Sequence, residues 1–182
     1  MAERKLITAE ELRRILSYDH ETGLWTWLPR SLRPGLERID RGWNTRFSWK
    51  PVAIRLDRRG YQIIAFAPYN NIFAHRLAWF YITGKWPAEE LDHINGNPLD
   101  NRMINLREAT RKQNMINQKT RSNNTSGVKG VSWSKKSGAW YAYINKDKIM
   151  YSLGMFDNID DAIRTRKEAE REFHGEWARI TF

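Results

Sequence analysis

The feature that most narrows what this chain can fold into is residues 91–119, LDHINGNPLDNRMINLREATRKQNMINQK. Leu91 and Ile94 bracket Asp92 and His93, which predicts a short strand. Asn95, Gly96, Asn97, Pro98, Asp100 and Asn101 then crowd together, and such residues favour a tight surface loop. Leu106 and Ala109 enclose Arg107 and Glu108, so residues 105–109 form a second short strand. Thr110 followed by Gln113 is a capping box that starts a helix at about Arg111. The order is strand, loop, strand, helix.

That order gathers the polar groups. The carboxylate of Asp92 and the amide oxygen of Asn114 are hard ligands, suited to Mg2+ or Mn2+ rather than to zinc. A neutral His93 beside them can take a proton from water. Together they are a kit for metal-assisted phosphodiester hydrolysis. On residue types alone a second reading stays open, in which Asp92 and the asparagines only cap turns.

Three motifs, DHINGN at 92–97, LDNRMINLR at 99–107 and QNMINQ at 113–118, resemble the HNH endonuclease module, the ββα-metal fold of phage-encoded and homing enzymes. The resemblance implies His93 as general base, Asp92 and Asn114 as ligands of one divalent ion, and Asn105 as the residue that holds the loop and orients the histidine. It also implies 5′-phosphate and 3′-hydroxyl products. The third motif position is Asn114 rather than histidine, which favours an oxygen-liganded ion over structural zinc. HRLAWFYITGKWP at 75–87 resembles the segment that often precedes this module, and His75 either faces the scissile phosphate or supports the fold.

Composition bounds the partner. A net charge of +10 and 31 Lys and Arg among 182 residues fit a polyanion, since basic side chains gain free energy by releasing counterions from phosphates. No stretch approaches the roughly 20 apolar residues that span a bilayer, and the N-terminus lacks an apolar signal core. These features predict a cytoplasmic protein without a membrane partner. With no cysteine, stability rests on packing, and 13% aromatic residues supply it.

Ahead of the motif, Thr8 to Glu11 is a capping box opening a helix to about Tyr18, followed by a turn containing His20 and a strand at 24–28. Residues 29–50 carry Arg30, Arg33, Arg38, Arg41 and Arg46 with little periodicity, as an ordered loop on DNA or a mobile connection. A hairpin over 61–74 and a helix over 75–82 ending at Gly84 complete the region.

Beyond the motif lies a basic belt. Residues 110–150 hold nine Lys or Arg against one acid, Asp147. Residues 119–125 predict a linker, and three strands follow at 128–133, 139–145 and 149–153. Alternation puts Trp140, Ala142 and Ile144 on a dry face and Tyr141, Tyr143 and Asn145 on an open one. Asn158 caps a helix whose stripe is Ile159, Ala162, Ile163, Ala169 and Phe173. SGVKGVSW, AWYAYI, YSLGMF and the helix resemble the AP2 DNA-binding domain, which implies Lys129, Ser132, Ser134, Tyr143 and Asn145 on DNA. Arg107, Lys119, Arg121, Lys135 and Lys136 join them as candidate DNA contacts. Few of these read guanine bidentately, so phosphate contacts dominate.

The expected architecture is α+β: an N-terminal α+β region (1–74), an HNH module (75–118), a linker (119–125) and an AP2-like domain (126–182). The expected function is cleavage of double-stranded DNA with one divalent ion and no small-molecule cofactor, in a chain whose oligomeric state is open with a monomer favoured. The rivals are a DNA-binding regulator that keeps the fold without cutting, and an RNA-binding protein.

Overall fold

In the computed structural model the described residues are 7–118, 120 and 123–178, and they mix helices and strands as an α+β protein. The chain divides between Arg111 and Lys112 into two compact units.

The first unit opens with α1 (Ala9–Ile15), where Thr8 Oγ1 accepts from Glu11 N at 3.1 Å and Glu11 Oε2 accepts from Thr8 N at 3.0 Å. The helix stops three residues short of the predicted end. Leu16–Tyr18 forms β1, antiparallel to β2 (Trp25–Trp27), with Leu16 opposite Trp27 and Tyr18 opposite Trp25. Leu16, Tyr18 and Trp25 are all buried, so pairing beside two indoles outcompetes another helical turn. Gly23 closes this hairpin at φ 75°, and a Cβ there would lie 3.0 Å from the backbone of Asn101 and Arg102. Only glycine permits that approach.

Residues 37–47, left open by the sequence, form α2 (Glu37–Phe47). Its support is non-periodic. The carboxylate of Asp40 is buried and accepts from Arg33 N at 2.9 Å and Arg33 Nη2 at 2.6 Å. The Arg33 guanidinium holds the Asp40 carboxyl at about 2, below the usual carboxylate range. Trp43 stands edge-on to Trp27 at 5.5 Å, and Arg30 lies 3.9 Å from its ring centre.

A three-stranded antiparallel sheet follows, ordered β3 (Ile54–Leu56), β4 (Gln62–Phe66), β5 (Tyr69–Phe73). It leads into α3 (Ala74–Thr83), stopped by Gly84 at φ 73°. Leu12, Leu16, Trp25, Ile64, Leu77 and Phe80 form the core, each large side chain contributing about 1.5–3 kcal/mol. Leu106 shares that core. It lies on β7 (Leu106–Ala109), which pairs antiparallel with β6 (Glu90–His93) in the register Asp92 to Arg107 and His93 to Leu106.

The second unit contains α4 (Arg111–Asn117) from Lys112 onward, a three-stranded antiparallel sheet and α5 (Ile159–His174). The sheet order is β10 (Ile149–Phe156), β9 (Ala139–Lys146), β8 (Val131–Ser134). Val131, Ala142 and Ala162 are its buried centre, with Trp140, Leu153, Phe156 and Ile163 around them. Arg166, absent from the predicted stripe, is 5% exposed and pairs with Glu170 at 3.2 Å. Gly130 makes room for it: a Cβ at Gly130 would sit 2.7 Å from Arg166 Nε and 2.2 Å from the Tyr143 carbonyl.

Candidate active site

The β6–β7 hairpin carries Asp92 and His93, both 5% exposed. The loop between the strands is tied by its own polar groups. Asn105 Oδ1 accepts from Asn95 N at 3.0 Å, while Asn105 Nδ2 donates to Asn95 Oδ1 at 3.1 Å and to the Asp100 carbonyl at 2.8 Å. Asn95 Nδ2 donates to Asp100 Oδ2 at 2.8 Å. The hydrogen bonds of the Arg102 guanidinium hold the Asp100 carboxyl below its ordinary range. Asn105 therefore organises the loop.

The side chain that meets His93 is Asn101. His93 Nε2 lies 3.0 Å from Asn101 Oδ1, and Asn101 Nδ2 donates to Gln62 Oε1 at 2.8 Å. Asn101 is 1% exposed, and its carbonyl accepts from the Tyr18 hydroxyl at 2.6 Å. With Asn101 Nδ2 spent on Gln62, its oxygen faces the imidazole. In the tautomer that donates from Nε2 to Asn101 Oδ1, Nδ1 is the basic nitrogen. The sequence marks Asn101 only as a turn former, and Gln62 is 39 residues away along the chain.

Rings wall the site. Tyr61 lies 5.8 Å and His75 5.1 Å from His93, centroid to centroid, and Phe73 stacks on His75 at 5.5 Å. His75 is 7% exposed, and its Nδ1 has no hydrogen-bond partner among the described residues. Burial pushes its pKa down to about 3. Burial also lowers that of His93, against the opposing effect of the Asn101 hydrogen bond. His75 is therefore neutral at pH 7, and burial favours the neutral form of His93. Arg107, expected on DNA, directs Nε and Nη2 at Asp92 Oδ2, at 3.0 and 2.9 Å.

The other predicted positions lie in the second unit. Asn114 is on α4, half-buried. Lys129 Nζ donates to the Ile116 carbonyl at 3.1 Å, at the end of that helix. Ser132 and Asn145 are exposed, and Tyr143 stacks on Tyr141 at 5.6 Å. Ser134 Oγ donates to Ser137 Oγ at 3.2 Å, bracing the turn that exposes Lys135 and Lys136. Lys119 and Arg121 lie outside the described residues.

Residues 73–116 match the HNH endonuclease family. The chain is similar to Protein 3.8 of Escherichia phage T7, 34% identical over 124 residues, which covers 68% of this chain and 98% of that protein. No solved structure matches. No helix among the described residues is long and apolar enough to cross a membrane.

Proposed function

Because this chain belongs to the family of phage Protein 3.8 and carries an HNH endonuclease module at 73–116, we propose that it hydrolyses phosphodiester bonds of double-stranded DNA. The observation that carries this reading is the 3.0 Å contact of His93 Nε2 with Asn101 Oδ1 inside that module. It holds the ring, and in the tautomer that donates from Nε2 the other nitrogen, Nδ1, would accept a proton from water. Burial favours the neutral, proton-accepting form of the imidazole.

The family implies a divalent ion. Among the described residues no group of three or more His, Cys, Asp or Glu stands ready to hold one. The donors the resemblance names are the carboxylate of Asp92 and the carboxamide of Asn114, which suit a hard cation that keeps several waters and takes phosphate oxygens. Asp92 would hold Mg2+ or Mn2+, with Asn114 as the second donor the resemblance implies, and such an ion would stabilise charge developing on the phosphate and on the leaving oxygen. Arg107 orients Asp92 through Oδ2. Asn105 keeps the loop closed.

The second unit serves as an AP2-like DNA-binding module in this reading. Its support is the three-stranded sheet backed by α5, with Ser132, Tyr141 and Tyr143 on the face opposite the buried Ala142. Lys135 and Lys136 add phosphate contacts from the turn.

Incubating plasmid with Mg2+ or Mn2+, and in parallel with chelator, tests the proposal. Wild type should yield 5′-phosphate ends only with metal, and His93→Ala should bind as before but not cut. The rival reading, a regulator that binds DNA without cutting, draws on the neutralisation of Asp92 by Arg107. Intact plasmid with every metal, together with undiminished binding, would favour it.

A further inference from the structure

The segment the sequence left open presents a surface that the nuclease site does not use. One side of α2 is anchored: Asp40 is buried, and Trp43 and Phe47 are half-buried, their rings 5.3 Å apart. Arg38, Arg41, Thr45 and Arg46 are exposed on its other positions. Residues 29–50 hold Arg30, Arg33, Arg38, Arg41, Arg46 and Lys50 against Glu37 and Asp40, and Asp40 is already occupied by Arg33. The outward charge is strongly positive.

Just after the helix stands Trp49. It is 68% exposed at φ 61°, with its backbone N–H donating to the Trp27 carbonyl at 2.7 Å. A bulky residue in the left-handed region is strained, and strain of this kind concentrates where a side chain must be presented. Here the residue is an exposed indole that follows Arg46 by three positions and precedes Lys50. Core packing accounts for Trp25, which is 1% exposed; it does not account for Trp49.

We infer that α2 and the turn after it form a second DNA-contact element, with Arg38, Arg41 and Arg46 on backbone phosphates and Trp49 stacked on a base or wedged at a base step. Guanidiniums spaced along a helix match the repeating charge of a phosphate backbone. An exposed indole just after the helix supplies sequence-tolerant stacking. The inference rests on duplex DNA being the substrate, and it adds a contact outside both the HNH module and the C-terminal sheet.

Binding of the full chain to a mixed-sequence duplex, measured in chelator across a salt series, tests it. Arg38→Gln/Arg41→Gln/Arg46→Gln should make the slope of log affinity against log salt shallower by roughly 2 to 3. Trp49→Ala should weaken binding about tenfold with the slope unchanged. Circular dichroism checks that both variants fold, since the altered side chains are exposed. If wild type binds and both variants match it in affinity and slope, the second contact is refuted while the nuclease reading stands. If wild type binds no duplex, the substrate assignment fails and this inference falls with it. If the variants change self-association in sedimentation and leave DNA binding untouched, the surface is a protein interface and the inference is overturned.

Discussion

Lowering the pH from 7 to 5 places a proton on His75 only when the structure around it opens. In the folded chain its pKa is about 3, against 6.5 for an unperturbed imidazole, because the ring sits among Tyr61, Phe73 and His93. Between those two values the unfolded chain binds the extra proton and the folded chain does not. Stability is therefore present above the unfolded value and is lost as pH falls toward the folded one. Each unit of separation is worth about 1.4 kcal/mol, so the step from pH 7 to 5 removes about 2 kcal/mol, while exposed carboxylates stay mostly ionised. Native-state hydrogen exchange on α3 peptides, corrected for intrinsic rates, reads the first unit alone. His75→Leu removes the titration and keeps an apolar side chain of similar size. Wild type should lose about 2 kcal/mol more opening free energy than the variant. His93 titrates in both proteins and cancels. Equal losses in the two would refute the claim that burial of His75 keeps it neutral.

Three further outcomes follow from the geometry. Asn101→Leu fills a similar volume but strips His93 Nε2 and Gln62 of their partner, which should cost about 1–3 kcal/mol in thermal or urea unfolding. Its cleavage rate should fall at least tenfold with DNA affinity retained, whereas an unchanged rate would remove Asn101 from the role of holding the imidazole. Gly130→Ala forces a Cβ onto the Tyr143 carbonyl and Arg166, so exchange protection in β9 should drop by at least about 1 kcal/mol. Tyr18→Phe deletes the hydroxyl that caps the Asn101 carbonyl; a loss of about 1 kcal/mol in unfolding free energy is expected, and no loss would mean that the contact is dispensable.

Where the local signal and the packing agree, the chain is legible from its letters. Thr8 with Glu11, Gly84 and Asn158 mark helix ends that the structure keeps, since a cap is satisfied within a few residues. The alternation in β9 likewise puts Ala142 and Ile144 inside. Three features escaped for a common reason. Leu16–Tyr18 continues a helical pattern but is claimed by β2; α2 depends on Arg30, Arg33 and Trp27, which precede it; and Arg166 lies inside because Gly130 clears space for it. Each is decided by a partner elsewhere in the chain, which periodicity does not register. The same holds at the site. His93 and Asn105 are recognisable from their motif, whereas Asn101 acquires its place through Gln62 and Tyr18, 39 and 83 residues away.

The hairpin that ends in Gly23 grips the far side of that loop. His20 offers its carbonyl to Met103 N at 3.2 Å, Tyr18 reaches the Asn101 carbonyl, and Leu106 shares a core with Leu12 and Leu16. The HNH motif is thus no portable cassette. Excised at the borders where its letters begin and end, it would leave behind the brace on its loop, and shortening the chain from the front would loosen the setting of His93 before touching a single residue of the motif.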